Sequence, residues 1–217
     1  RLDQDTSGLI VVAKSQAAMD GLVKAFSSHK NIEKTYLAVC HGSPRLNSGR
    51  IENLIGRHPV DRKRMAIVDP SPHGSAAAGK HGKVAITNWE KVEKIGGGGQ
   101  RNLNSTVPLP LSTTTLLPLP LPLPLSTTTS SPTATSLIKC RIETGRTHQI
   151  RVHMASLGCP VIGDAVYGKS ALDKKLDPVP QRQMLHAWRL KLWHPVKSVQ
   201  MTFEAPVPED MKPYILV

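Results

Sequence analysis

Between Gly96 and Ser136 the chain reads GGGGQRNLNSTVPLPLSTTTLLPLPLPLPLSTTTSSPTATS, and this stretch limits the possible folds more than any other. Proline fixes φ and lacks an N–H, so alternating Pro and Leu can form neither a helix nor an inner strand of a sheet. The stretch reads as an extended or disordered insertion, tolerated because a long surface loop costs little extra entropy, or as a docking segment for a proline-recognising partner. Whatever core the protein has must therefore come from residues 1–95 and 137–217. Together they are long enough for one domain.

The flanking segments carry strand and helix patterns in alternation. Residues 9–13, LIVVA, predict a short buried strand. Ser15 then predicts a helix cap, with Ala18, Met19, Leu22, Val23 and Phe26 forming one apolar stripe. Residues 35–42 and 84–92 predict two further strands, and RHPVDRKRM (57–65) between them is too charged for anything but a loop. In 137–143, Ile138, Cys140 and Ile142 share one face while Lys139, Arg141 and Glu143 share the other. Thr147 is expected to cap a helix with Ile150, Met154 and Leu157 inward and Gly158 as its stop. Residues 185–195 and 199–206 predict a closing hairpin. The pattern implies an α+β fold, a mixed and mainly antiparallel sheet with flanking helices.

The chain carries 28 Lys+Arg against 16 Asp+Glu, a net charge of +12. Such an excess suits a polyanion, and nucleic acid before a membrane. No window approaches the length of uncharged apolar chain that spans a bilayer. The three cysteines, Cys40, Cys140 and Cys159, are odd in number and widely spaced, which implies neither a disulfide framework nor a zinc site and fits a reducing, intracellular compartment. No protein partner is evident and a monomer is expected. The chain opens on Arg inside what reads as a motif, so its N-terminus is expected upstream. With that end missing, cytoplasm and organelle are not distinguished.

Two stretches carry chemistry. In RLDQDTSGLIVVAK (1–14), Asp3, Asp5, Ser7 and Gly8 match the first positions of a calcium loop, but Lys14 stands where a bidentate Glu is needed. In ETGRTHQIRVHMASLGCPVIGDAVYG (143–168), Arg146 lies at a predicted helix N-terminus, a corner suited to an anion, either an RNA phosphate or the carboxylate of Asp3. A surface pair with Glu143 is the plainer alternative. His148 and His153 are five apart, unlike the i, i+4 pair of a zinc helix, so no metal is expected, and the sequence carries neither a P-loop nor a dinucleotide fingerprint.

The ordered blocks RLDQDTSGLIVVAK, KTYLAVCHG, GRHPVDRKRMAI, ETGRTHQIRVHMASLGCPVIGDAVYG and RQMLHAWRLKLWHP together resemble the RluA-type family of RNA pseudouridine synthases. The resemblance implies that family's catalytic fold, an isomerase acting on uridines of rRNA or tRNA without a cofactor, and a chain truncated at its N-terminus. By resemblance Asp3 is the catalytic carboxylate, Tyr36 stacks on the base and serves the late proton transfer, and Arg146 ion-pairs with Asp3, holding it as a depressed acid. Leu185 and His186 would line the pocket. Arg57, Arg62, Lys63 and Arg64 of the basic loop, with Arg151, would hold phosphates. Arg1, Thr6, His148 and Gln149 complete the expected RNA-contacting set. A catalytically inactive RNA-binding protein on the same scaffold is the competing expectation.

Overall fold

The computed structural model describes residues 1–28, 31–68, 82–92, 134–197 and 199–215. Its centre is the strand β2 (Ile32–His41), where Leu37, Ala38, Val39 and Cys40 are buried on both faces. That continuous burial explains why TYLAVCH lacks the polar alternation of an edge strand. Antiparallel partners flank it. β6 (Thr135–Ile142) pairs along it from Lys34↔Ile142 to His41↔Thr135, and β7 (Leu185–Trp193) takes the other side. β5 (Lys83–Val92), β3 (Ser48–Arg57) and β4 (Met65–Val68) extend the sheet beyond β6. On the far edge of β7, β1 (Ser7–Gly8) pairs in parallel and β8 (Gln200–Glu204) antiparallel.

Each face of the sheet has its own core. Ala38, Cys40, Ile138, Cys140 and Ile142 pack under α2 (Gln149–Ser156) through Ile150 and Met154. Leu37, Val39 and Leu137 point the other way, against Ile162, Met184 and a short 3₁₀ helix at Glu209–Tyr214. Burying each of these larger apolar side chains contributes about 1.5–3 kcal/mol. A one-turn helix, α3 (Ser170–Asp173), follows α2, and its Asp173 carboxylate bonds the buried His41 ring at 2.7 Å.

The strands predicted at 35–42, 84–92 and 137–143 and the closing hairpin are present. So are the inward faces of α2 and the stop at Gly158, whose φ is +75°. Other expectations are corrected. Residues 9–13 form no strand, with Ile10 65% and Val12 77% exposed. Gly8, at φ +111°, lies so close to β7 that an added Cβ would sit 2.3 Å from the Ala187 carbonyl oxygen. The Leu9 N–H reaches that same oxygen, and beyond it the β7 edge is already occupied by β8. Ser15 does cap α1 (Gln16–Ser28), accepting the Ala18 N–H at 3.3 Å, and the apolar stripe is only partly covered: Ala18, Leu22 and Phe26 are half-buried, while Met19 is 50% and Val23 59% exposed.

Thr147 is not the cap of α2. His148 holds that position at φ +55° with no capping bond from its side chain, and the Gln149 side chain ties the turn instead, accepting from the Arg146 N–H and the Thr144 hydroxyl. The basic stretch 57–65 is the tip of a β3–β4 hairpin whose strands the sequence reading missed. The insertion lies outside the described residues, except that Thr135 and Ser136, read as its end, open β6.

Candidate active site

Asp3 sits on a tight turn that the sheet edge holds in place. The Thr6 N–H donates to the Asp3 carbonyl at 3.2 Å, and Asp5 adopts φ +63°, a conformation Asp tolerates better than most residues. Two side chains just before β7 anchor this turn. Gln183 donates to the Gln4 carbonyl and, at 3.2 Å, to the Thr6 hydroxyl; Arg182 donates to the Asp5 carbonyl at 3.2 Å while Asp210 clamps its guanidinium at 2.7 and 2.8 Å. Ser7 adds a hydroxyl contact to His186 Nδ1 at 2.9 Å.

The cation beside the Asp3 carboxylate is Arg151, with Nη1 3.7 Å from Oδ2. Arg151 comes from α2 and is only 5% exposed. Its remaining fork is taken by Asp164, Nε to Oδ2 at 2.6 Å and Nη2 to Oδ1 at 2.8 Å. Asp164 also accepts the Val166 and Tyr167 N–H groups. Burial alone would raise its carboxyl, but the bonds from Arg151 and these backbone groups outweigh it and leave the group lowered. The Tyr167 ring packs 5.1 Å from the Arg151 guanidinium, and its hydroxyl accepts the Met65 N–H at 2.7 Å. A planar fork bonded on two sides cannot swing away, so the third side of Arg151 is presented to Asp3 in a fixed direction.

Tyr36 faces the same place from β2. A bulge in the β2–β7 ladder falls between Thr35 and Tyr36, where Trp188 is the extra residue, and such bulges re-aim neighbouring side chains. Asp3, Thr6, Tyr36, Arg146, Gln149 and Leu185 line a cavity of about 80 Å³. Arg1, Leu2 and Tyr36 also border an adjoining cavity of about 460 Å³, with Lys34 and Arg189 on its wall. Burial, and then the Asp3 charge, push the Tyr36 phenol up to about 12, so it is un-ionised at neutral pH.

The expected set is thus partly assembled. Asp3, Tyr36, Thr6, Arg1, Leu185 and Gln149 meet at one cavity, although the Gln149 amide is committed to Ile86, Thr87 and the Arg146 turn. Arg146 lines the cavity without pairing with Asp3. Its Nε donates to the Val84 carbonyl at 2.8 Å because Thr144 and Gln149 tether the turn to β5. Nor does it pair with Glu143, which takes Arg50 and Asn88. Arg151 is buried in ion pairs, so it is not a phosphate contact.

His186 lies on the opposite face of β7 from Leu185, buried between Ser7 and the Ala205 carbonyl, and lines neither cavity. His148 bonds the Tyr167 hydroxyl at 2.9 Å, and burial followed by the Arg151 charge lowers its pKa. Arg57, Arg62 and Lys63 are exposed on the hairpin tip, while Arg64 stacks on Tyr167. Asp164, Tyr167, Lys34, Arg182 and Gln183 were missed. The available signal was a lone carboxylate in the otherwise apolar run PVIGDAVYG. Among the described residues no group of three or more His, Cys, Asp or Glu side chains could hold a metal ion, and no helix is long and apolar enough to cross a membrane.

Residues 1–156 match the family described as RNA pseudouridylate synthase. The chain belongs to that family. Among RNA pseudouridylate synthase relatives, ribosomal large subunit pseudouridine synthase D of Zymomonas mobilis is 36% identical over 217 residues, spanning 98% of this chain and 53% of that protein. The Nitrosomonas europaea protein of the same name is 35% identical over 214 residues, 97% of this chain and 48% of its own length. The chain therefore spans about half the length of the curated relatives it matches. The structure of human RNA pseudouridylate synthase domain containing 1 superposes with a TM-score of 0.64 at 25% identity, covering 97% of this chain and 69% of that one. The α+β sheet is thus the fold of this RluA-type family.

Proposed function

We propose that this protein isomerises uridine to pseudouridine in RNA, with Asp3 as the catalytic carboxylate and no cofactor. The observation that carries the reading is the Asp3–Arg151 ion pair on the wall of a cavity shared with Tyr36. Reaction at a nucleobase requires the nucleotide to leave the stack and enter such a pocket. The N1–C1′ glycosidic bond breaks with its electron pair on N1, the uracil turns over, a C1′–C5 bond forms, the hydrogen on C5 leaves as a proton, and N1 takes up a proton, so the product is an isomer of the substrate.

A carboxylate serves this sequence when it is held in a fixed place, and the Arg151 guanidinium 3.7 Å from Asp3 holds it there. Asp3 then stabilises or captures the electron-poor sugar carbon or the base. Tyr36, un-ionised and offering a flat ring with a polar tip, suits stacking on the uracil and a late proton transfer. The names of the relatives support ribosomal RNA as the substrate class. We read 1–95 and 137–217 as one catalytic domain.

Nucleoside analysis of large-subunit ribosomal RNA transcripts and of transfer RNA transcripts, each incubated with the full-length protein, tests this. New pseudouridine in the ribosomal transcript is expected. RNA that binds yet gains none would replace the reading with that of an inactive RNA-binding protein.

A further inference from the structure

We propose that Lys34 and Arg146 form a phosphate site at the mouth of the active-site cavity, where a backbone phosphodiester of the RNA beside the target uridine is held. The inference rests on the functional reading above only for the identity of the strand. It begins from two cations that lack counter-charges. Lys34 is 8% exposed, and its Nζ makes one long hydrogen bond, 3.5 Å, to the Thr144 carbonyl. An ammonium has three donors, so most of its hydrogen-bonding capacity is unspent in a place where water is scarce. A Cβ added to Gly145 would stand 3.7 Å from that Nζ, so the ammonium lies against the same turn that carries Arg146.

Among the described residues neither cation has an ion pair with a carboxylate. The acids within the same region are spent elsewhere: Glu143 on Arg50 and Asn88, Asp3 on Arg151, Asp164 on Arg151. Burial, and then the Arg146 charge, lower the Lys34 pKa, the sign of a like-charged pair without an anion between them. A protein keeps a buried ammonium beside a second, half-exposed cation at a cost, and an incoming anion removes that cost.

Position selects the anion. Lys34 lines the larger cavity, Arg146 the smaller one with Asp3, and the two cavities share Arg1, Leu2 and Tyr36 as common wall. A group bound between Lys34 and Arg146 therefore sits beside whatever stacks on Tyr36. For a nucleotide drawn out of its helix, that neighbour is its own or an adjacent phosphodiester. The Arg146 fork suits a tetrahedral oxyanion, and the point charge of Lys34 completes it. This contact differs in kind from the exposed charges of the β3–β4 hairpin, because it would be made only after the nucleotide has entered the site.

The test is RNA binding, read without turnover. A ribosomal RNA transcript is titrated by fluorescence anisotropy against the native protein, Lys34→Met and Arg146→Gln at several salt concentrations. Met keeps the buried stem and removes the charge. We expect about tenfold weaker binding for each variant and a salt slope shallower by about 0.7–0.9 per charge removed, with a double variant that loses less than the two singles multiplied.

The melting temperature of Lys34→Met should not fall, since an uncompensated buried charge is lost; a purely structural lysine would instead lower it. Inorganic phosphate replacing chloride at constant ionic strength should weaken RNA binding by the native protein and not by Lys34→Met. Native affinity and slope in both variants would overturn the proposal. So would phosphate binding abolished by Lys34→Met while RNA affinity is untouched, which would assign the site to free phosphate. A protein that makes no pseudouridine but shows these binding losses would refute the functional reading and leave the phosphate site standing.

Discussion

Lowering the pH from 6.5 towards 4 should remove about 3 kcal/mol of stability through one imidazole, that of His153. The ring is wholly buried between α2 and the sheet, with Nδ1 2.8 Å from the Thr87 hydroxyl and Nε2 3.0 Å from the Asn53 side-chain oxygen. The Asn53 oxygen can only accept, so Nε2 carries the hydrogen, and Nδ1 accepts from Thr87, whose own oxygen receives the Gln149 amide N–H at 3.0 Å. A second ring proton would require the Thr87 hydroxyl to turn and accept from Nδ1 in place of donating to it. Burial accordingly lowers the His153 pKa from 6.5 to about 4.

Because the folded pKa lies below the unfolded one, the unfolded chain binds more protons in that window. Stability is complete above 6.5 and is lost as pH falls through the window. A difference of about 2.5 units at 1.36 kcal/mol each gives about 3 kcal/mol in all, of which about 2 kcal/mol is gone by pH 5. The assay is urea denaturation at pH 7.0, 6.0, 5.0 and 4.5 on the native chain and on His153→Gln, which keeps a polar group at the site and does not titrate. Carboxylates titrate equally in both, so the difference between the curves isolates the ring. Parallel curves would refute the reasoning.

Asp164→Asn should destabilise the fold by about 3–5 kcal/mol in chemical denaturation, because Arg151 is left buried with its principal counter-charge gone. Tyr36→Phe should leave thermal stability near native and lower the rate of pseudouridine formation about 100-fold or more at saturating RNA, a loss in proportion to a proton-transfer role. Native Tyr36, raised to about 12, should cost stability as pH climbs from 10 towards that value, a loss absent from Tyr36→Phe in alkaline denaturation. Replacing Arg57, Arg62 and Lys63 together by Ala should flatten the salt dependence of RNA binding by about 2–3 units of log–log slope, since each exposed charge displaces a counterion.

The inner strands were legible because their burial leaves a direct trace. The middle of TYLAVCH, Leu37 to Cys40, is apolar without a break, being covered on both faces, and LIKCRI alternates because only one face has charged neighbours to meet. LIVVA misled for a positional reason. Its composition is that of an inner strand, but Gly8 and the competing β8 leave it no free edge. Strand β3 was missed since Arg50 and Glu52, which pair with one another across its outer face, mask the apolar rhythm of Ile51 and Ile55.

At the site, resemblance brought Asp3 and Tyr36 to one cavity, yet it misassigned the partner arginine. Arg146 and Arg151 both belong to the GRTHQIR block, and spacing alone does not separate them. What separates them is Asp164, thirteen residues after Arg151, and the Gln149 amide, which holds Arg146 on the β5 side. Pairings across such loops are set by tertiary folding, which no local pattern encodes. The half-covered stripe of α1 belongs to the same class, since periodicity reports an apolar face and says nothing of what lies against it.

The most direct test of the account compares the native protein with Asp3→Asn, measuring the single-turnover rate of tritium release from [5-³H]uridine-labelled ribosomal RNA and the affinity for the same RNA. The neutral amide keeps the turn and removes the charge opposite Arg151, so release should vanish while affinity stays within about twofold. Release at the native rate from Asp3→Asn would contradict the assignment of Asp3 as the catalytic carboxylate.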